Sequence, residues 1–170
     1  MFRKDKEISR RDEIDAVIAR CRVCYLAMCR DDKPYVIPVC FGYDGRCLYV
    51  HTAGAGQKID FIRRNPQVCF TMTCDAGLVA RSADPCGWGF AYFSVVGNGR
   101  VEELVTLEEK ALGLDFIVRQ YAEGTPPAVP APPAGLRVWR IQISDLTGKC
   151  SPAGSSILES HDCGPSSVKD

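Results

Sequence analysis

The 170-residue sequence has no excess of either charge: Lys plus Arg and Asp plus Glu both number 21, so the formal net charge is zero. A nucleic-acid binder usually shows a basic excess or a clustered basic stripe, and neither is present. Long hydrophobic runs are missing too. No apolar stretch approaches the roughly 18 residues of a membrane span, and the opening MFRKDKEISRRDE is charged with no apolar segment behind it. A cytoplasmic protein without a membrane segment is expected. Two phosphate motifs are also absent. Gln57 precedes Lys58 and Ile59 follows it where a P-loop needs Gly-Lys-Ser/Thr, and Ile59 stands where a dinucleotide fingerprint needs its third glycine. Histidine is scarce, with only His51 and His161.

What is there is an ordinary globular composition, 46% apolar and 25% charged, in a chain long enough for one domain with a real core. Cysteine is the exception, at ten residues. With no secretory signal in view, these should be reduced thiols. Cys24, Cys29, Cys40, Cys47 and Cys69 fall in strand-like runs, where they serve most simply as small hydrophobes. The cluster Cys21, Cys24 and Cys29 has a C-x2-C-x4-C order that matches no ferredoxin spacing and lacks an evident fourth ligand, so no metal site is expected.

Along the chain, Ile14, Val17 and Ile18 recur at helical spacing over about 10–20, and strands follow over Arg22–Cys29 and Tyr35–Tyr43. Pro38 cannot donate to a ladder, which places its strand at an edge or a bulge, or beside a ligand. Asp44-Gly45 signals a hairpin into Arg46–His51. The stretch Val50–Pro66, VHTAGAGQKIDFIRRNP, then reads as a strand, a small-residue loop and a short basic helix. It is either an anion site, built from free helix N–H groups and Lys58, or an ordinary strand-to-helix turn with a solvated basic face.

Gln67–Thr73 is a strand, Asp75–Gly89 a loop and Phe90–Glu103 a long strand bent at Gly97 and Gly99. Thr106 with Glu109 forms a capping box for a helix to about Tyr121, with Leu107, Ala111, Leu114 and Val118 on one stripe. A proline-rich connector spans 124–135, and Leu136–Ile143 is the last strand. One domain over residues 1–149 and a mobile tail over 150–170 are expected. Six strands joined mostly by hairpins argue for a mainly β, α+β fold: a six-stranded antiparallel barrel with peripheral helices.

The ordered set RVCYLAM, DDKPYVIPVCFGYDG, LYVHTAGAGQKIDFIRRNPQVCF and YFSVVGNGRVEE resembles the pyridoxamine 5′-phosphate oxidase-like flavoproteins, and within them the nitroimidazole-resistance branch. The resemblance implies a split barrel that forms a homodimer, with FMN in clefts at the subunit interface. It puts Pro38, Val39 and Cys40 along the flavin ring, His51, Thr52 and Lys58 at the strand end and loop with Lys58 on the phosphate, and Ser94, Val95 and Trp139 as further contacts. It also makes His51 the candidate for proton transfer.

Read from chemistry alone, the residues leave alternatives. His51 either serves the flavin or caps its strand, Ser94 is either a ligand contact or a ladder-side hydroxyl, and core packing is favoured for Trp139. The chain ends SSVKD and lacks the Arg-Leu-x-Pro segment of the vitamin-pathway oxidases, which argues against pyridoxamine phosphate oxidation. The function expected is an FMN-dependent oxidoreductase that passes reducing equivalents from NAD(P)H or a similar donor to a small acceptor such as a nitroaromatic. Two other readings are a non-catalytic flavin-binding redox sensor and a haem-binding relative with His51 or His161 as axial ligand.

Overall fold

A computed structural model describes residues 4–80, 84–152 and 155–157; His161 and most of the expected tail lie outside the described residues. Among the described residues there are eight strands and three α-helices. In chain order they are β1 (Glu7–Ile8), α1 (Arg11–Arg20), β2 (Cys24–Arg30), β3 (Lys33–Val39), β4 (Gly42–Tyr43), β5 (Cys47–Thr52), α2 (Gln57–Arg64), β6 (Gln67–Ala80), β7 (Trp88–Leu104), α3 (Leu107–Tyr121) and β8 (Arg137–Ser151). The strands join in the order β3-β2-β6-β7-β8-β5-β4, with β1 added to β8, and the sheet does not close on itself. A mainly antiparallel, split-barrel arrangement with peripheral helices is therefore the fold, with eight strands instead of six.

The two additional strands have separate causes. The expected strand Tyr35–Tyr43 is interrupted at Cys40 and Phe41, where the Phe41 N–H leaves the ladder and donates to the Tyr121 hydroxyl at 3.0 Å. Glu7 and Ile8 pair with Lys149 and Gly148, an alignment that no local pattern announces. Pro38 sits as expected on the edge strand β3, opposite Tyr25. The hairpin at Asp44-Gly45 also forms: Tyr43 pairs with Leu48, Gly45 takes a φ of 92°, and the Asp44 carboxylate accepts the Arg46 and Cys47 N–H groups at 2.7 and 2.6 Å. Burial works against that carboxylate, but these N–H donors and the Tyr49 hydroxyl hold its pKa below the ordinary value.

The chain divides into two compact units. One comprises Met1–Arg20, Thr73–Val95 and Thr147–Asp170; the other comprises Cys21–Met72 and Val96–Leu146. In the first, α1 buries Ile14, Val17 and Ile18, Arg20 pairs with Asp75 at 2.9 Å, and Ile157 is buried. The expected loop Asp75–Gly89 is mostly strand here, since β6 runs to Ala80 and β7 begins at Trp88. Small polar residues weaken strand propensity, and pairing with a neighbouring strand overrides it. Asp75 takes a φ of 51°, as at a bulge.

In the second unit, the β2, β6 and β5 faces bury Leu26, Phe70, Met72, Leu48 and Val50. Gly97 and Gly99 are close-approach positions: a Cβ at Gly97 would stand 2.5 Å from the Phe70 ring, and one at Gly99 2.6 Å from the Gln142 carbonyl oxygen. α3 starts with the expected capping box of Thr106 and Glu109. Its packing stripe is shifted from the expected one. Leu107 is exposed, while Gly113 and Ile117 are buried against Tyr49, Leu104 and Val138, and Phe116 stacks on Tyr49 at 4.9 Å. Where a side chain as small as glycine allows a helix to approach a sheet, tertiary contact sets the face and local periodicity does not.

Candidate functional site

Two features of the second unit bring chemically useful groups together. The first is the end of β5. Successive strand residues point to opposite faces, so Leu48, Val50 and Thr52 face inward and are buried, while Cys47, Tyr49 and His51 turn to the face covered by α3. There Cys40 and His51 meet Ile117, Val118, Tyr121, Ala122 and Pro127 around a hollow of about 380 Å³. Its walls are almost wholly apolar, with the imidazole and thiol as the convergent polar groups. The last turn of α3 is pinned in place. The Tyr121 hydroxyl donates to the Arg22 carbonyl oxygen at 3.0 Å while accepting from Phe41, and the Gln120 amide donates to the Cys21 carbonyl oxygen at 3.0 Å. Burial pushes the Tyr121 phenol above its ordinary pKa.

The second feature is the loop and helix that follow. α2 begins at Gln57 with Gly56 as N-cap (φ 134°), and no side chain caps its first N–H groups. Its apolar residues Ile59, Phe61 and Ile62 are buried, which turns Lys58 partly outward. Among the described residues the Lys58 ammonium has no hydrogen bond or ion pair. An uncapped helix start and a free cation attract negative charge to the same place.

Of the residues named from the sequence, Cys40 and His51 converge on the hollow, and Pro38 and Val39 lead into it along β3. Thr52 and Trp139 meet each other instead. The indole N–H donates to the Thr52 hydroxyl at 2.9 Å, the hydroxyl donates to the Ala53 carbonyl oxygen at 2.9 Å, and both residues are buried. Trp139 is thus a core residue, the outcome favoured for an aromatic on a strand. Ser94 and Val95 lie in the first unit, half-buried and buried respectively. Sequence reasoning missed Tyr121, Ile117, Val118 and Pro127. Nothing local flags them, because Tyr121 reaches its partner Phe41 only across 80 positions.

The described cysteines are all free thiols, and they differ in exposure. Cys24 is buried, and loss of solvation together with nearby Cys69 pushes its thiol up to about 12. Cys29 and Cys40 are exposed, contrary to their expected role as small hydrophobes. Since the thiolate is the reacting species, iodoacetamide at neutral pH should alkylate Cys29 and Cys40 in the native protein and leave Cys24 intact, as read by peptide mass. Early labelling of Cys24 would show that β2 opens readily.

The comparisons with known proteins bear on this geometry. Residues 10–150 match the family model described as pyridoxamine 5′-phosphate oxidase. The chain belongs to that family. A candidate 5-nitroimidazole antibiotic resistance protein from Bacteroides thetaiotaomicron is 30% identical with a TM-score of 0.71, over 84% of this chain and 85% of that one. An FAD-binding protein from Mesorhizobium loti is 27% identical with a TM-score of 0.59, over 84% of this chain and 95% of its own. An uncharacterized protein of Rhizobium meliloti is 37% identical over 94 residues, 55% of this chain. The chain spans about half the length (54%) of that curated relative. Within the matched region lie β2 to β7, β8 up to Cys150, the hollow and the Lys58 loop, so both features belong to the part of the chain that the family model describes. Among the described residues, no helix is long and apolar enough to cross a membrane, and no group of three or more His, Cys, Asp or Glu residues is placed to hold a metal ion.

Proposed function

We propose that the chain binds FMN and acts as an oxidoreductase, moving reducing equivalents from a reduced nicotinamide or similar donor to a small acceptor, with nitroaromatics among the candidates. The observation that carries this reading is Lys58, without a partner among the described residues, at the start of a helix that no side chain caps, directly after the strand end that presents His51 to an apolar hollow. FMN combines a phosphate dianion with a flat apolar ring, and these two features suit its two ends. When bound, the cofactor supplies hydride and electron transfer.

The chain's own residues bind, orient and exclude water. Lys58 and the first N–H groups of α2 hold the phosphate. Pro38, Val39 and Cys40 lie along the ring, and Ile117, Val118 and Pro127 keep water from it. Thr52 and Trp139 act through the strand end that they fix. His51 holds or delivers a proton at its imidazole, which can both donate and accept one. The cleft is completed by a second copy of the chain, as the family resemblance suggests.

The test is the spectrum of the purified protein and its response to donors. Flavin bands that release FMN on denaturation, and that bleach anaerobically with NADH or NADPH, support the enzyme. Bound FMN without bleaching favours a sensor, a Soret band favours haem, and a protein that cannot be reconstituted with FMN sinks the proposal. His51→Ala should keep FMN but lower turnover on the order of a hundredfold, the usual contribution of a positioned proton-transfer group. Wild-type turnover in that variant would reduce His51 to a strand-end residue.

A further inference from the structure

The loop that precedes α2 is held by groups to which the proposed chemistry gives no role. Arg137, at the start of β8, donates from Nε to the Gly54 carbonyl oxygen at 3.0 Å, and its other arm donates to the Glu103 carboxylate. Both side chains of this ion pair are only 29% exposed, so the guanidinium is set between two fixed acceptors. The opposite support is backbone. A Cβ added to Gly54 would stand 3.0 Å from the Gly135 carbonyl oxygen, so the loop lies directly against the turn that closes the proline-rich connector. That turn is formed by the Leu136 N–H donating to the Pro133 carbonyl oxygen at 3.1 Å, with Gly135 at a φ of 84°. Gly54, Glu103, Gly135 and Arg137 share one recess of about 200 Å³ with Lys110 and Leu136. The loop residues themselves, Ala53 to Gly56, are exposed and form no regular structure, and no side chain caps the helix after them.

We propose that Arg137 is a positioning residue for the cofactor: together with the closing turn of the connector, it fixes the Ala53–Gly56 loop so that Lys58 and the α2 start are preset for a phosphate. The inference rests on the reading of Lys58 as the phosphate ligand. A glycine-rich loop left free would have to be ordered when the ligand binds, and that entropy is subtracted from affinity. Arg137 and the connector impose the order beforehand. This also gives the proline-rich segment a role: a stiff backstop does not yield when the loop leans on it.

Arg140 supplies an internal control. Its ion pair with Glu102, at 2.6 Å, joins the same two strands without touching the loop. FMN affinity, read by quenching of flavin fluorescence, should fall about tenfold in Arg137→Ala and stay within twofold of wild type in Arg140→Ala. Methylguanidinium should restore part of the loss in Arg137→Ala, and Arg137→Lys, which cannot serve both acceptors with the same fork, should fall in between. In the cofactor-free protein, amide hydrogen exchange over 54–58 should quicken in Arg137→Ala only. Equal effects at Arg137 and Arg140, or FMN affinity unchanged by Arg137→Ala, overturn the inference while leaving the cofactor reading in place. If the wild-type protein binds no FMN, the cofactor reading fails by itself. Hydrogen exchange then decides the clamp, and wild-type exchange over 54–58 in Arg137→Ala overturns it.

Discussion

Lys58→Ala should lower FMN affinity by roughly thirtyfold, about 2 kcal/mol, the typical loss when a hydrogen bond to a charged group is removed. The side chain is half-exposed and has no partner within the chain among the described residues, so nothing in the fold depends on its charge. The melting temperature should therefore stay within a degree or two of wild type, as for most surface substitutions. The two readouts are fluorescence titration with FMN and thermal unfolding of the cofactor-free protein. Raising salt should weaken wild-type binding more than it weakens the variant, because screening acts on the charge that the variant lacks. Unchanged affinity would remove Lys58 from the phosphate and with it the observation on which the functional reading stands.

Gly42→Ala strikes the fold at the point where it shapes the hollow. Gly42 pairs with Tyr49 in the β4–β5 hairpin, and its Cα faces the α3 backbone. A Cβ there would overlap the Phe116 carbonyl carbon and the Ile117 amide nitrogen, which belong to the helix backbone and cannot rotate away. α3 must shift, and the Tyr49–Phe116 stack and the cluster of Tyr49, Leu104, Ile117 and Val138 shift with it. A destabilisation of about 3 kcal/mol is expected, at the upper end for overpacking. For a chain of this size that lowers the melting temperature by roughly 10 °C. Gly77→Ala is the control, because a Cβ at Gly77 meets nothing within 4 Å. FMN affinity should fall in Gly42→Ala as well, since Ile117, Val118 and Tyr121 wall the hollow. A variant as stable as wild type would mean that α3 is not seated on this hairpin as described.

Much of the fold is legible in the sequence. The Asp44-Gly45 turn, the α2 helix ending before Pro66, the Thr106–Glu109 capping box and the edge position of Pro38 all follow from short-range chemistry: glycine conformations, proline's missing donor and side-chain caps. What escaped was long-range. The extension of β6 and β7 through 75–80 and 88–89, the pairing of Glu7 and Ile8 with β8, and the shift of the α3 stripe toward Gly113 and Ile117 depend on partners distant in sequence. Local propensity carries no record of them.

The candidate site divides the same way. By itself the sequence determined the family resemblance, the split-barrel class, and His51 and Lys58 as the residues to watch, because motifs in fixed order survive as local patterns. Only the tertiary structure decided that His51 faces α3 while Thr52 turns inward to Trp139, that Tyr121 bonds to Phe41 and Arg22, and that Arg137 reaches the Gly54 carbonyl. The physical reason is that a strand sends alternate residues to opposite faces, but which face meets a helix, and which carbonyl a distant arginine reaches, is settled only when the elements pack.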